Sequence, residues 1–154
     1  MKKFILFLLL TSFVHANEAT AKVVIDLTTS SVEKFHKYIL KAIVVHKNHY
    51  EGNLKELEVA VVIHGGAYRF FVKDPKSTIY KDDKELQKSY AELKTRIASM
   101  SDTYDVEFFM CGAGMKKNKL NDTDIVSFVK VIPTSTIGLI DKQNEGFAYI
   151  PVRD

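Results

Sequence analysis

The chain has 154 residues, 46% of them hydrophobic and 27% charged, with a formal net charge of +3. That composition is globular and fits one ordinary domain with its own core. The near balance of charge gives no basic face for a nucleic-acid partner, and a single cysteine excludes any disulfide within the chain.

In chain order, Met1-Lys2-Lys3 is a short basic start and Phe4 to Leu10 is wholly apolar. Val14-His15-Ala16 then offers small residues where a signal peptidase cuts. This is the pattern of a secretory signal peptide over residues 1–16, with a single domain over 17–154. The apolar run is shorter than the roughly 20 residues that span a bilayer, so no stable membrane anchor is expected after processing. Removing Lys2 and Lys3 brings the charge close to neutral. The expected location is the periplasm.

Lys22 to Leu27 predicts a strand, its apolar run suiting a sheet covered on both faces. Ser30 and Glu33 have the spacing of a capping box. Behind them Val32, Phe35, Ile39, Ala42, Ile43 and His46 form one helical stripe that fades near His49 to Gly52. Leu57 to Ile63 is a second strand, closed by His64-Gly65-Gly66. A loop or short helix carries Tyr68, Phe70 and Phe71, and Pro75 to Asp83 is a solvated connection. Leu86, Tyr90, Leu93, Ile97 and Met100 recur at helical spacing behind an Asp82 or Asp83 cap.

Val106 to Met110 is a third strand that runs straight into Cys111. Gly112 to Leu120 is a short helix and Ile125 to Phe128 a further helical turn. Val129 to Ile132 is a fourth strand, stopped by Pro133. Thr134 or Ser135 caps a helix through Ile137, Leu139 and Ile140, and Phe147 to Val152 is the fifth strand. Strands alternating with helices predict a parallel sheet with helices on both faces.

Ligands of open α/β sheets sit beyond the carboxyl ends of the strands. Cys111, His64-Gly65-Gly66 and Thr28 all lie at such ends. A thiol facing free amide N–H groups is held as thiolate, and a thiolate attacks sulfane sulfur. Cys111 is therefore the candidate nucleophile and His64 the candidate proton acceptor or oxyanion partner. Thr28, Gly65, Gly66, Gly112, Ala113 and Gly114 are the candidate lining. A buried, inert cysteine is the competing reading. His46 and His49 lack partners at metal-ligand spacing, so no metal is expected, and no cofactor motif is present. Arg69 is a single candidate for contact with an anion. No Walker lysine loop, GxGxxG, GxSxG or CxxC occurs, which weighs against nucleotide hydrolysis, α/β-hydrolase chemistry and thioredoxin-like exchange.

Three segments in order, ELEVAVVIHGGAYRFF, DVEFFMCGAGMKKNKL and VKVIPTSTIGLIDKQNEGFAYIPV, resemble the DsrE/DsrF-like proteins, a sulfur-relay family. The likeness runs from about Lys22 to Val152. It implies a three-layer α/β/α domain with a mainly parallel five-stranded sheet that assembles into homo-oligomers. It also implies that Cys111 accepts and passes on persulfide sulfur, with a sulfur donor or acceptor protein or a small sulfane-sulfur compound as partner. The alternative within the same fold is a non-catalytic small-ligand-binding or structural module.

Overall fold

The computed structural model describes residues 20–154. The predicted signal peptide lies outside the described residues. Five strands form one sheet: β1 (Ala21–Leu27), β2 (Leu57–Ile63), β3 (Val106–Cys111), β4 (Val129–Ile132) and β5 (Ala148–Val152). Their order is β4-β3-β2-β1-β5 and every pairing is parallel. Parallel neighbours need long crossovers, and the chain supplies helices for them.

The first crossover is one continuous rod. α1 (Val32–Phe35) passes through a π-helical stretch, His36–Ala42, into α2 (Ile43–Gly52). The wider π turn places both Ile39 and Leu40 in the core, whereas the regular helical stripe contained only Ile39. α3 (Lys84–Asp102) forms the second crossover, with Asp83 capping it by accepting from the Leu86 N–H at 3.0 Å. α4 (Gly112–Lys117) leaves β3, and α5 (Ser135–Asn144) joins β4 to β5.

Strand alternation divides the side chains into two layers. Ile25, Leu27, Val59, Val61, Ile63, Phe108 and Met110 pack with Phe35, Ile39, Ile43, Leu86, Leu93, Ile97 and Met100 from α1 to α3. Val24, Ala60 and Val62 face the other way, toward Phe147 and, with Phe109 and Ile132, Leu139 of α5. The architecture is thus the three-layer α/β/α sheet expected, with one thick apolar layer and one thin one.

Three local readings are corrected. Ser30 does not cap the first helix. Its hydroxyl donates to Asp154 Oδ2 at 2.9 Å, and Ser31 Oγ accepts the Lys34 N–H instead. An ionised carboxylate is the stronger partner for the hydroxyl, so the cap moves one residue on. Ile125 to Phe128 is not helical. Ile125 bridges Val72 in an antiparallel sense and the Val126 N–H donates to Phe71 O at 3.0 Å, so these backbone groups are satisfied across the chain. The stretch from Pro75 is not wholly solvated, since Pro75 is buried at the start of a short 3₁₀ turn, Pro75–Ser77.

Candidate functional site

The strand order places the ends of β1, β2 and β3 side by side. Around β1 and β2 the glycines allow close backbone packing. Gly65 has φ +60 and would bring a Cβ to 3.2 Å from Thr28, and the Gly66 N–H donates to Thr28 O at 2.9 Å. Thr28, Gly65 and Gly66 therefore seal two strand ends together. The Thr28 N–H donates to Val152 O at 3.0 Å, which ties in β5.

Cys111 ends β3, opposite Ile132 of β4, and is 7% exposed. Here the connections leave the sheet in different directions, since α4 starts at Gly112 and α5 at Ser135 on the far layer. The groups that lower the Cys111 thiol pKa are the backbone N–H groups of Gly114 and Ser135 first, then the hydroxyls of Tyr68 and Ser135 beside it. Burial alone raises the thiol pKa, but these donors outweigh it and hold the group below its ordinary value of 9.0. The two amides are the larger of these lowering contributions. Tyr68 has one proton and gives it to the Cys111 carbonyl at 2.7 Å. The Ala113 N–H donates to Pro133 O at 3.2 Å, which holds the turn against the β4–α5 connection. An open cleft of about 400 Å³ adjoins this turn, lined by Gly112, Met115, Lys116 and Val131. Lys116 and Lys117 point into solvent.

His64 sits one strand away. Its Nε2 lies 2.6 Å from Oδ1 of Asp26, a β1 carboxylate that is only 4% exposed. The second oxygen of Asp26 accepts from the Tyr149 hydroxyl at 2.6 Å and from Arg153 at 3.1 Å, and Arg153 also donates to the Tyr149 oxygen at 2.5 Å. Burial pushes the Asp26 pKa up, but Tyr149, His64 and Arg153 together bring it below its ordinary 3.8. Among the described residues no hydrogen bond joins His64 to Cys111.

The Asp26 network sets a pH dependence. A depressed folded pKa gives stability that is complete above the unfolded value and is lost as pH falls through the folded one. Urea midpoints of the wild type should therefore drop more steeply below about pH 4 than those of Asp26→Asn, whose side chain does not titrate. Parallel curves for the two proteins would remove Asp26 from the acid response.

The candidate residues thus fall into two clusters on adjacent strand ends: Cys111-Gly112-Ala113-Gly114, and His64 with Thr28, Gly65 and Gly66. Arg69 is not a free anion contact. It pairs with Asp83 at 2.9 Å and Glu85 at 3.1 Å and donates to Ser30 O at 3.0 Å. Asp26, Ser135, Tyr149 and Arg153 escaped the sequence reading. Asp26 had a signal, since a lone carboxylate inside VVIDL must find donors or pay for its burial. The other three gave none.

The family model described as the DsrE/DsrF-like family matches residues 5–152. An uncharacterized protein of Aquifex aeolicus (strain VF5) is 27% identical over 154 residues, which is 98% of this chain and 64% of that protein. The chain therefore spans somewhat under two thirds of that relative's length. A solved structure of a protein of unknown function, MTH1491 from Methanobacterium thermoautotrophicum, superposes with a TM-score of 0.56 at 18% identity. That match covers 85% of this chain and 98% of the other, and it concerns the fold. With the family model spanning nearly the whole sequence and the expected parallel α/β/α sheet in place, the chain belongs to the DsrE/DsrF-like family.

Proposed function

We propose that this protein is an exported sulfur carrier that accepts sulfane sulfur on Cys111 and passes it on as a persulfide. One feature carries the reading: Cys111 ends β3 at the turn into α4, where the Gly114 and Ser135 amides hold its thiol pKa below the ordinary value although burial raises it. Membership of a sulfur-relay family supports it. In the forward step the Cys111 thiolate attacks the outer sulfur of a donor. A new S–S bond forms on Cys111, the donor's own S–S bond breaks, and the donor's remaining sulfur leaves with the electron pair. One S–S bond replaces another, so no oxidant is consumed.

The donor and the acceptor are a partner protein or a small sulfane-sulfur compound. The basic-apolar start of the chain supports export to the periplasm with cleavage after Ala16. Exposed Ile137 and Ile140 on α5 support assembly as a homo-oligomer.

Native mass spectrometry of the protein recovered from the periplasm, before and after inorganic polysulfide, tests these points together. The expected chain starts at Asn17, has an oligomeric mass and gains one sulfur that Cys111→Ser never gains. Absence of any adduct, with slow alkylation of the thiol at pH 7, would leave the alternative of a non-catalytic module, which the 7% exposure of Cys111 would then favour.

A further inference from the structure

We propose that His64, oriented by Asp26, is the acid–base group of the Cys111 site, so that the ends of β1, β2 and β3 form one carboxylate–imidazole–thiol relay. This deepens the sulfur-carrier reading and rests on it for its substrate.

His64 is extended, with φ −158 and ψ −169, and its N–H donates to Leu27 O at 3.0 Å, so it prolongs β2 by one residue. Ile63 pairs with Met110, which sets His64 beside Cys111 in the next register position. Adjacent strands run about 5 Å apart. His64 follows Val62 by two residues and Cys111 follows Phe109 by two, and both Val62 and Phe109 belong to the α5 layer. Strand alternation directs His64 toward the α5 layer, and Cys111, which also packs against Tyr68 and Met115 of the other layer, follows the same alternation beside Ser135 of α5. Among the described residues no direct hydrogen bond joins the two side chains, so the proton exchange proposed here runs through one water.

An ionised Asp26 is acceptor-only, so the 2.6 Å contact requires the proton on Nε2. Neutral His64 then presents Nδ1 with a free lone pair. Tyr149 and Arg153 fix the other Asp26 oxygen, so the carboxylate orients the ring. The titratable and charged groups bonded to this cluster are Asp26 from β1, Tyr149 from β5 and Arg153 just after β5, among the described residues. A buried carboxylate with three side-chain donors is a costly way to fill a strand position that an apolar residue would fill more cheaply. Its expense is explained if the ring it holds handles a proton.

The Cys111 thiol gives its proton to Nδ1 through one water. The thiolate forms an S–S bond to the outer sulfur of an inorganic polysulfide, whose own S–S bond breaks. The shortened polysulfide leaves with the electron pair and takes the proton from His64. Asp26 is a positioning residue and His64 the catalytic one.

The test uses the full chain and the variants His64→Gln, Asp26→Asn and Asp26→Glu. Glutamine still donates an N–H to Asp26 but cannot carry a proton, so a purely structural His64 would tolerate it. Two rates are followed from pH 5 to 9: gain of one sulfur from inorganic polysulfide, and capture of Cys111 by iodoacetamide. His64→Gln should slow sulfur gain by about 100-fold and remove one limb of its pH profile. Asp26→Asn should slow it at least about tenfold, with Asp26→Glu recovering part of the loss. Wild-type rate and profile in His64→Gln would overturn the relay and leave the carrier reading standing. If the wild type gains no sulfur, the carrier reading falls. The relay is then judged on iodoacetamide capture, where a His64-dependent limb sustains it and identical profiles overturn it.

Discussion

Alanine at Gly114 should destabilise the protein by roughly 2–6 kcal/mol and raise the Cys111 pKa together. The Cβ it adds would overlap the hydroxyl of Tyr68. That ring cannot step aside, because Tyr68 is fully buried and its hydroxyl is bonded to the Cys111 carbonyl. Overpacking a close-fitted site costs about 1–3 kcal/mol, and leaving a buried hydroxyl without its acceptor adds about as much again. Against a total stability on the order of 5–15 kcal/mol that is a large share. The relief available is for α4 to shift outward, which moves the Gly114 N–H off the sulfur. Urea unfolding and the pH midpoint of iodoacetamide capture report the two effects. Gly52→Ala is the control, since nothing lies within 4 Å of its added Cβ. Unchanged stability and thiol midpoint in Gly114→Ala would mean that the notch for Tyr68 does not hold the turn.

Phe35→Ala should cost about 3–5 kcal/mol, a change readable in the urea midpoint. Phe35 is fully buried in α1. It stacks on Phe70 at 4.2 Å between ring centroids and meets Phe71 edge-on at 5.8 Å. Phe71 in turn lies 5.2 Å from Phe108, three residues before Cys111 on β3. The cost combines lost transfer energy, a cavity that stacked rings cannot close, and two aromatic pairs worth about 0.5–1.5 kcal/mol each. Val45→Ala, at a side chain 63% exposed on α2, should change stability by less than about 0.5 kcal/mol. A Phe35→Ala protein as stable as Val45→Ala would show that the 3₁₀ segment Gly65–Phe71 repacks freely, contrary to its burial.

The site was legible in part, and the division has a cause. Cys111, Gly112 and Gly114 stood out because a strand pattern breaks into glycines within five residues. His64-Gly65-Gly66 stood out in the same way. The donors to the sulfur did not, because Ser135 is far along the chain and reads locally only as a helix start. Asp26 was passed over because four apolar neighbours set the pattern around it, and pattern reading rewards the majority. Its partners Tyr149 and Arg153 stand 123 and 127 residues away.

The amino-acid sequence by itself determined the kind and order of the elements and put a thiol at a strand end. Those are outcomes of period-2 and period-3.6 patterning, which acts over a few residues. Tertiary structure alone decided the order β4-β3-β2-β1-β5, the moved cap at Ser31, the pairing of Asp26 with His64, and the aim of the Ser135 amide at Cys111. Each of these joins groups distant in the chain through hydrogen bonds and burial, and only the folded crossovers bring such groups within reach.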